Sequence, residues 1–140
     1  MYTPHNLRTG ASAYARVGVE SGAMSASPHQ LIAMLFDGAQ TAIGQARYHI
    51  GTGDIAAKGN AISKAVSIVD SGLKASLDAK AAGMEGQTLV SNLSALYDYV
   101  VRRLMFANLR NDVAALDEAE SLLESLASAW REVEPGRAGR

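Results

Sequence analysis

The sequence predicts an all-α fold, an antiparallel up-down four-helix bundle with a short N-terminal helix on a mobile arm. Three observations carry that expectation. The prolines are Pro4, Pro28 and Pro135, so the stretch from His29 to Glu134 contains none. Helix interiors exclude proline, whereas sheet proteins of this length use it in their turns. Alanine, the best helix former, is plentiful throughout that stretch. Four apolar stripes at helical spacing fill it, separated by short connections.

The first helix opens on strong local chemistry. Ser27 is placed to cap, Pro28 takes the first helical position where a missing N–H costs nothing, and Gln30 completes a Ser-x-x-Gln capping box. Behind them Ile32, Phe36, Ala39, Ile43, Ala46 and Ile50 recur at steps of 4, 3, 4, 3 and 4, one apolar face of a helix. Gly51-Thr52-Gly53 ends it. Asp54 is the expected cap of the second helix, whose stripe is Ile55, Ile62, Val66, Val69, Leu73 and Leu77 and which runs out near Ala82 and Gly83. Gly83-Met84-Glu85-Gly86 reads as a tight connection. The third helix carries Leu89, Leu93, Leu96, Val100, Leu104 and Ala107 and ends before Asn111 and Asp112, either of which suits a cap for the fourth. The fourth stripe is Leu116, Ala119, Leu123, Leu126, Trp130 and Val133, stopped by Pro135 and the glycines after it.

Each rod is expected to run about 20 to 27 residues, roughly 30–40 Å. Short loops make successive helices antiparallel neighbours. The organisation expected is therefore an arm over 1–26, a bundle over 27–134 and a disordered tail over 135–140. The arm is apolar in places but interrupted by Gly10, Gly18 and Gly22, so it holds at most one short helix around Ser12 to Val17.

Composition narrows the function classes. A chain of 140 residues with 48% hydrophobic and 19% charged residues has enough apolar surface for a real core. Thirteen Lys and Arg against fourteen Asp and Glu leave a net charge of -1, so no strongly basic nucleic-acid or anionic-membrane surface is indicated. With Cys at 0, disulfides, thiol nucleophiles and Cys-based zinc sites are out together. No apolar run approaches the roughly 20 residues of a membrane span, and no signal-peptide core is present. A soluble intracellular protein is expected, with no membrane insertion.

Catalytic chemistry is hard to find. A di-iron carboxylate bundle needs inward Glu-x-x-His pairs, and no Glu here has a His three positions later. His49 sits beside a helix end and His29 in a capping turn, so each reads as a surface or capping-turn residue. Gly51-Thr52-Gly53 lacks the Lys and strand of a phosphate loop, and no nucleophile-elbow motif exists. Arg102 and Arg103 with Arg110 form a small basic cluster, read as a solvated face near the negative end of helix 3. The chain is not expected to be an enzyme or to hold a cofactor or metal.

Surplus apolar surface is the more informative feature. Opposite Val66 on helix 2, the series Ala61, Ala65, Ile68, Gly72, Ala75 and Ala79 repeats at 4, 3, 4, 3 and 4. On helix 3, Val101, Met105 and Leu109 form an i, i+4, i+8 ridge facing away from Leu93, Leu96 and Val100. A helix apolar on two faces calls for two partners. Alanine filling an exposed face is one reading, and cover by the arm or by a second copy is another. The functional reading is a groove for an amphipathic segment of another protein, with small residues for close approach and Met105 for adaptability.

The blocks from Ser27 to Ala39, Ala95-Leu96-Tyr97-Asp98-Tyr99, Arg102-Arg103-Leu104 and Ala107-Asn108-Leu109-Arg110-Asn111-Asp112 resemble the flagellin-specific export chaperone family, FliS. Ile62-Ser63-Lys64-Ala65, Ser76-Leu77-Asp78 and Ala129-Trp130 are similar too, and the likeness spans about residues 14 to 133 in order. The resemblance implies a cytoplasmic chaperone that binds the disordered C-terminal segment of flagellin, prevents premature polymerisation and helps present it to the flagellar export gate. It also implies an N-terminal helix able to cover part of the client surface, with Tyr14 and Val17 as the arm residues over the groove. The alternative is a self-assembling structural bundle without a client.

Overall fold

In the computed structural model the structure describes residues 26–77 and 79–133. The expectations for the arm, including Tyr14 and Val17, and for the tail over 135–140 lie outside the described residues. Four α-helices and no strand are found among the described residues: α1 (Pro28–Thr52), α2 (Ile55–Ser67), α3 (Ala79–Arg110) and α4 (Val113–Glu132). The predicted fold class holds. Helix α1 packs on α2 and α4, and α3 packs on α4 and α2, so the four rods close a ring in chain order. No helix among the described residues is long and apolar enough to cross a membrane.

The caps follow the sequence. Ser27 Oγ accepts from Gln30 N at 3.1 Å while Gln30 Oε1 accepts from Ser27 N at 2.8 Å, a reciprocal capping box with Pro28 just inside it. Asp54 accepts from Ala57 N at 3.0 Å and Asp112 from Ala115 N at 3.2 Å, opening α2 and α4. Helices α1 and α3 end alike. Gly53 (φ 76°) and Asn111 (φ 51°) take left-handed backbone, and the next N–H reaches back to His49 O at 3.0 Å or to Ala107 O at 3.1 Å.

The second connection departs from the expected one. Helix α2 does not run to Gly83. After Ser67 it loosens into a π-turn (Ile68–Leu73), tightens into a 3₁₀ turn (Lys74–Ser76), and Leu77 leaves it in extended backbone (ψ 134°). Ser76 Oγ donates to Gly72 O at 2.6 Å, and that local bond competes with further helix. Helix α3 then starts at Ala79 and passes through Gly83 and Gly86, reaching 32 residues instead of about 25. A helical glycine costs about 1 kcal/mol, less than a neighbouring bundle repays. The π-turn also resets the face: Lys74 Nζ lands 2.7 Å from Asp98 of α3.

The core is built from small residues against branched ones. Ala39, Ile43 and Ala46 of α1 meet Ile62 and Ala65 of α2, Val69 of the π-turn, Val100, Leu104 and Ala107 of α3, and Leu116, Ala119 and Leu123 of α4, all essentially without exposure. The alanines let helix axes approach closely and the β- and γ-branched side chains fill the layer between. Polar seams run outside the core. Arg47 bridges Asp117 and Glu120 at 2.8 Å each, and Gln40 reaches Glu124 at 2.9 Å, joining α1 to α4.

Candidate functional site

The series expected to line the outside of α2 is mostly inside. Ala61, Ala65, Ile68 and Gly72 are buried, and Ala75 is half-buried. Ala79 begins α3, not α2, and its side chain lies outside the described residues. The cause is visible at Gly38 of α1, where an added Cβ would stand 3.3 Å from Ile68 Cδ1. The small series is thus the surface on which α1 packs. The expectation of an exposed groove along these residues is corrected: α2 buries a wide arc because it has two neighbours in the ring.

The opposite flank of α2 is the open one. Lys58, itself buried, fixes the direction of α3, donating to Asn108 O at 2.8 Å and to Asn111 Oδ1 at 2.6 Å. Ile55, Gly59 and Val66 lie within about 100° of Lys58 on the outer side. Ile55 is 71% exposed and Val66 is only half-buried. The sequence places both in the core stripe; Val66 does pack against the core, whereas Ile55 is the first residue of its helix and has no preceding turn to lie on. Leu89, also assigned to a core stripe, is likewise exposed.

Across the seam the ridge expected on α3 is present. Val101, Met105 and Leu109 lie within about 100° of Asn108, again on the outer side. Val101 is half-buried, Met105 is 59% exposed and Leu109 is 77% exposed. Helix α2 begins and α3 ends at the same end of the bundle, so Ile55 and Leu109 flank one shallow apolar seam. What the structure brings together is therefore the α3 ridge with the Ile55 and Val66 flank of α2, and not the alanine series.

Beside that ridge the surface is ordered by polar contacts. Tyr99 Oη donates to Glu118 Oε2 at 2.5 Å, and Arg103 Nε donates to Glu118 Oε1 at 2.7 Å. The Tyr99 hydroxyl and then the Arg103 guanidinium hold the Glu118 carboxyl below its ordinary range. The Arg103 guanidinium lies 4.9 Å from the Phe106 ring centre and that of Arg102 lies 5.8 Å from Tyr99. Behind the ridge Tyr97 is buried, and loss of water pushes its phenol up to about 12. No group of three or more His, Cys, Asp or Glu able to hold a metal ion occurs among the described residues. What this arrangement offers is apolar contact area with charged margins.

The family model for the flagellar protein FliS matches residues 10–137. The flagellar secretion chaperone FliS of Salmonella typhimurium strain LT2 is 53% identical over 135 residues, covering 96% of this chain and 94% of the relative. That of Escherichia coli K12 is 47% identical over 123 residues, covering 88% of each. The flagellar secretion chaperone FliSB of Pseudomonas aeruginosa is 38% identical over 117 residues, 84% of this chain and 89% of the relative. These relatives are chaperones and not enzymes. A four-helix bundle with an open apolar seam, matched along nearly its whole length by such relatives, belongs to the FliS family.

Proposed function

We propose that this protein is a cytoplasmic flagellar secretion chaperone that holds the C-terminal segment of flagellin, prevents its premature polymerisation and helps present it for export. The observation that carries the reading is the exposed row of Met105 and Leu109 beside Ile55, outside the packed core. A helix entering the seam would bury that row and order as it binds, returning on the order of 2–5 kcal/mol of the interaction energy as entropy. No cofactor takes part. The α3 residues Val101, Met105 and Leu109 make the contact, with Ile55 and Val66 as the facing flank. The small series Ala61, Ala65, Ile68, Gly72 and Ala75 sets how closely α1 and α2 approach, and so shapes the seam from behind.

Titration of the full-length protein with the isolated C-terminal segment of flagellin tests this. Saturable one-to-one binding, lost in Met105→Arg with thermal unfolding unchanged, is the expected result. Equal affinity of the wild type and Met105→Arg would remove the seam from the site. Association of the chain with itself through the same row, with no flagellin binding, would favour a self-assembling bundle instead.

A further inference from the structure

Two i, i+4, i+8 rows run side by side on the outer face of α3. One is the apolar row Val101, Met105 and Leu109. The other is Arg102, Phe106 and Arg110, an aromatic ring between two cations. Successive members of a row stand roughly one above another on a helix, so the backbone positions of the two arginines are about 12 Å apart along the axis.

These two arginines differ from the other cations nearby. Both are exposed, and neither makes an ion pair among the described residues. The acids around them are already engaged. Glu118 is held by Tyr99 and Arg103, Asp98 by Lys74, and Asp112 caps α4. The negative end of α3 favours a cation at Arg110, but Arg102 is two turns away, beyond the reach of that effect. On a chain of net charge -1, two arginines without an ion pair on the margin of an exposed apolar row are a local excess of positive charge, although Arg102 also lies over the Tyr99 ring.

We infer that Arg102 and Arg110 select the bound segment by charge: the occupant is an amphipathic protein helix that lays apolar residues along Val101, Met105 and Leu109 and carries carboxylates about two turns apart on the flank facing the arginines. The apolar row decides for a protein helix over a nucleic acid, because Met and Leu side chains offer nothing to a phosphate backbone, while apolar residues one turn apart match them directly. The inference rests on the seam being the flagellin site, and it adds which face of the segment is read and in which orientation. Rim charges of this kind act on association rate and on the rejection of wrong partners more than on the lifetime of the complex.

The experiment measures association and affinity of the full-length protein for the flagellin C-terminal segment across a range of salt. For the wild type, affinity should fall several-fold between about 50 and about 400 mM NaCl as screening grows. The double variant Arg102→Glu/Arg110→Glu should bind about tenfold or more weakly at low salt, through slower association, and its salt dependence should reverse, because screening then relieves repulsion between like charges. Changing carboxylates of the segment to lysine one at a time should restore binding to that variant at two positions about seven or eight residues apart. If the glutamate variant melts early, Arg102→Gln/Arg110→Gln replaces it, with a smaller loss in the same direction. Wild-type affinity and salt slope in a folded double variant overturn the inference; if Met105→Arg still abolishes binding there, the flagellin reading survives. Salt-dependent binding of an oligonucleotide, lost in the double variant while flagellin binding stays whole, overturns it in favour of a nucleic-acid face. No flagellin binding by the wild type overturns both readings.

Discussion

The imidazole of His29 lies flat on the indole of Trp130, with ring centres 4.8 Å apart and planes 15° from parallel. The two residues also exchange hydrogen bonds: Trp130 Nε1 donates to His29 O at 2.9 Å, and His29 Nε2 donates to Trp130 O at 3.0 Å. One residue sits in the first turn of α1 and the other in the last turn of α4, so this reciprocal pair closes the ring of helices at one end. His29 is therefore a clasp as well as a capping-turn residue. Trp130 O also accepts from Val133 N at 3.1 Å, so His29 adds a second donor to the carbonyl that ends α4.

The clasp predicts a graded loss. Trp130→Phe keeps a ring and drops the bond to His29 O, for about 1 kcal/mol. Trp130→Ala removes the stack and the packing against the core, for about 3 kcal/mol. Urea unfolding reads both, and a loss below about 1 kcal/mol for Trp130→Ala would contradict this account of the closure.

A different clasp works at the other end. Lys58 is buried to 6% exposure and its ammonium bonds both the carbonyl of Asn108 and the side chain of Asn111. It answers the negative end of α3 with a full charge while its stem covers apolar surface. Lys58→Met keeps the stem and should cost about 2 kcal/mol, since it leaves those acceptors without a charged donor. Its effect on flagellin affinity should be small, because the ammonium points between the helices and not into the seam.

Most of the bundle was legible because its signals are local. The box of Ser27 and Gln30, the caps Asp54 and Asp112 and the 4-3 stripes need only a few neighbouring residues. The break before α3 was not legible: Gly83 and Gly86 look like a turn, while the real exit is a π-turn and a serine bond back to Gly72. Nor was the open flank of α2. Its Ala61 and Ala65 side and its Val66 side are both apolar, and periodicity alone does not say which of them meets α1. The pairing of His29 with Trp130 spans 101 positions and leaves no periodic trace.

Burial of Tyr97 makes stability depend on alkaline pH. Its phenol is pushed up to about 12 by desolvation, whereas an unfolded tyrosine titrates near pH 10. The folded state thus keeps the proton longer than the unfolded one, so the contribution is fully present below about pH 10 and is lost as pH rises toward about 12. Unfolding free energy should fall by about 2 kcal/mol over that interval on this account, and Tyr97→Phe should flatten that part of the profile. Phenolate absorbance of the native protein gives an independent reading: one of the tyrosines should resist ionisation until the bundle opens.

Two arginine substitutions separate the buried series from the exposed row. Ile68 is 2% exposed against α1, so Ile68→Arg forces a charge between packed helices and should cost more than about 3 kcal/mol. Met105→Arg on the open ridge should change stability by less than about 0.5 kcal/mol. Thermal unfolding decides it, and a normally folded Ile68→Arg protein would mean that α1 does not cover that side of α2.

The contact between Gly38 and Ile68 gives the sharpest test of that packing. An alanine Cβ at position 38 would stand 3.3 Å from Ile68 Cδ1, tight enough that the methyl must give way by a few tenths of an ångström. Helix propensity pulls the other way, since glycine in a helix interior costs about 1 kcal/mol against alanine. Gly38→Ala alone should therefore lie within about 0.5 kcal/mol of the wild type, gain and crowding offsetting each other. Ile68→Val alone deletes the crowding methyl and leaves a small void, for a loss of about 1 kcal/mol. In the double variant the new Cβ occupies that void and the crowding is gone. Its stability should match or exceed the wild type, with a coupling of about 1 kcal/mol in urea unfolding. Strict additivity of the two single changes would mean that the two side chains do not share a space, and with it the assignment of Ile68 to the α1 interface would fail.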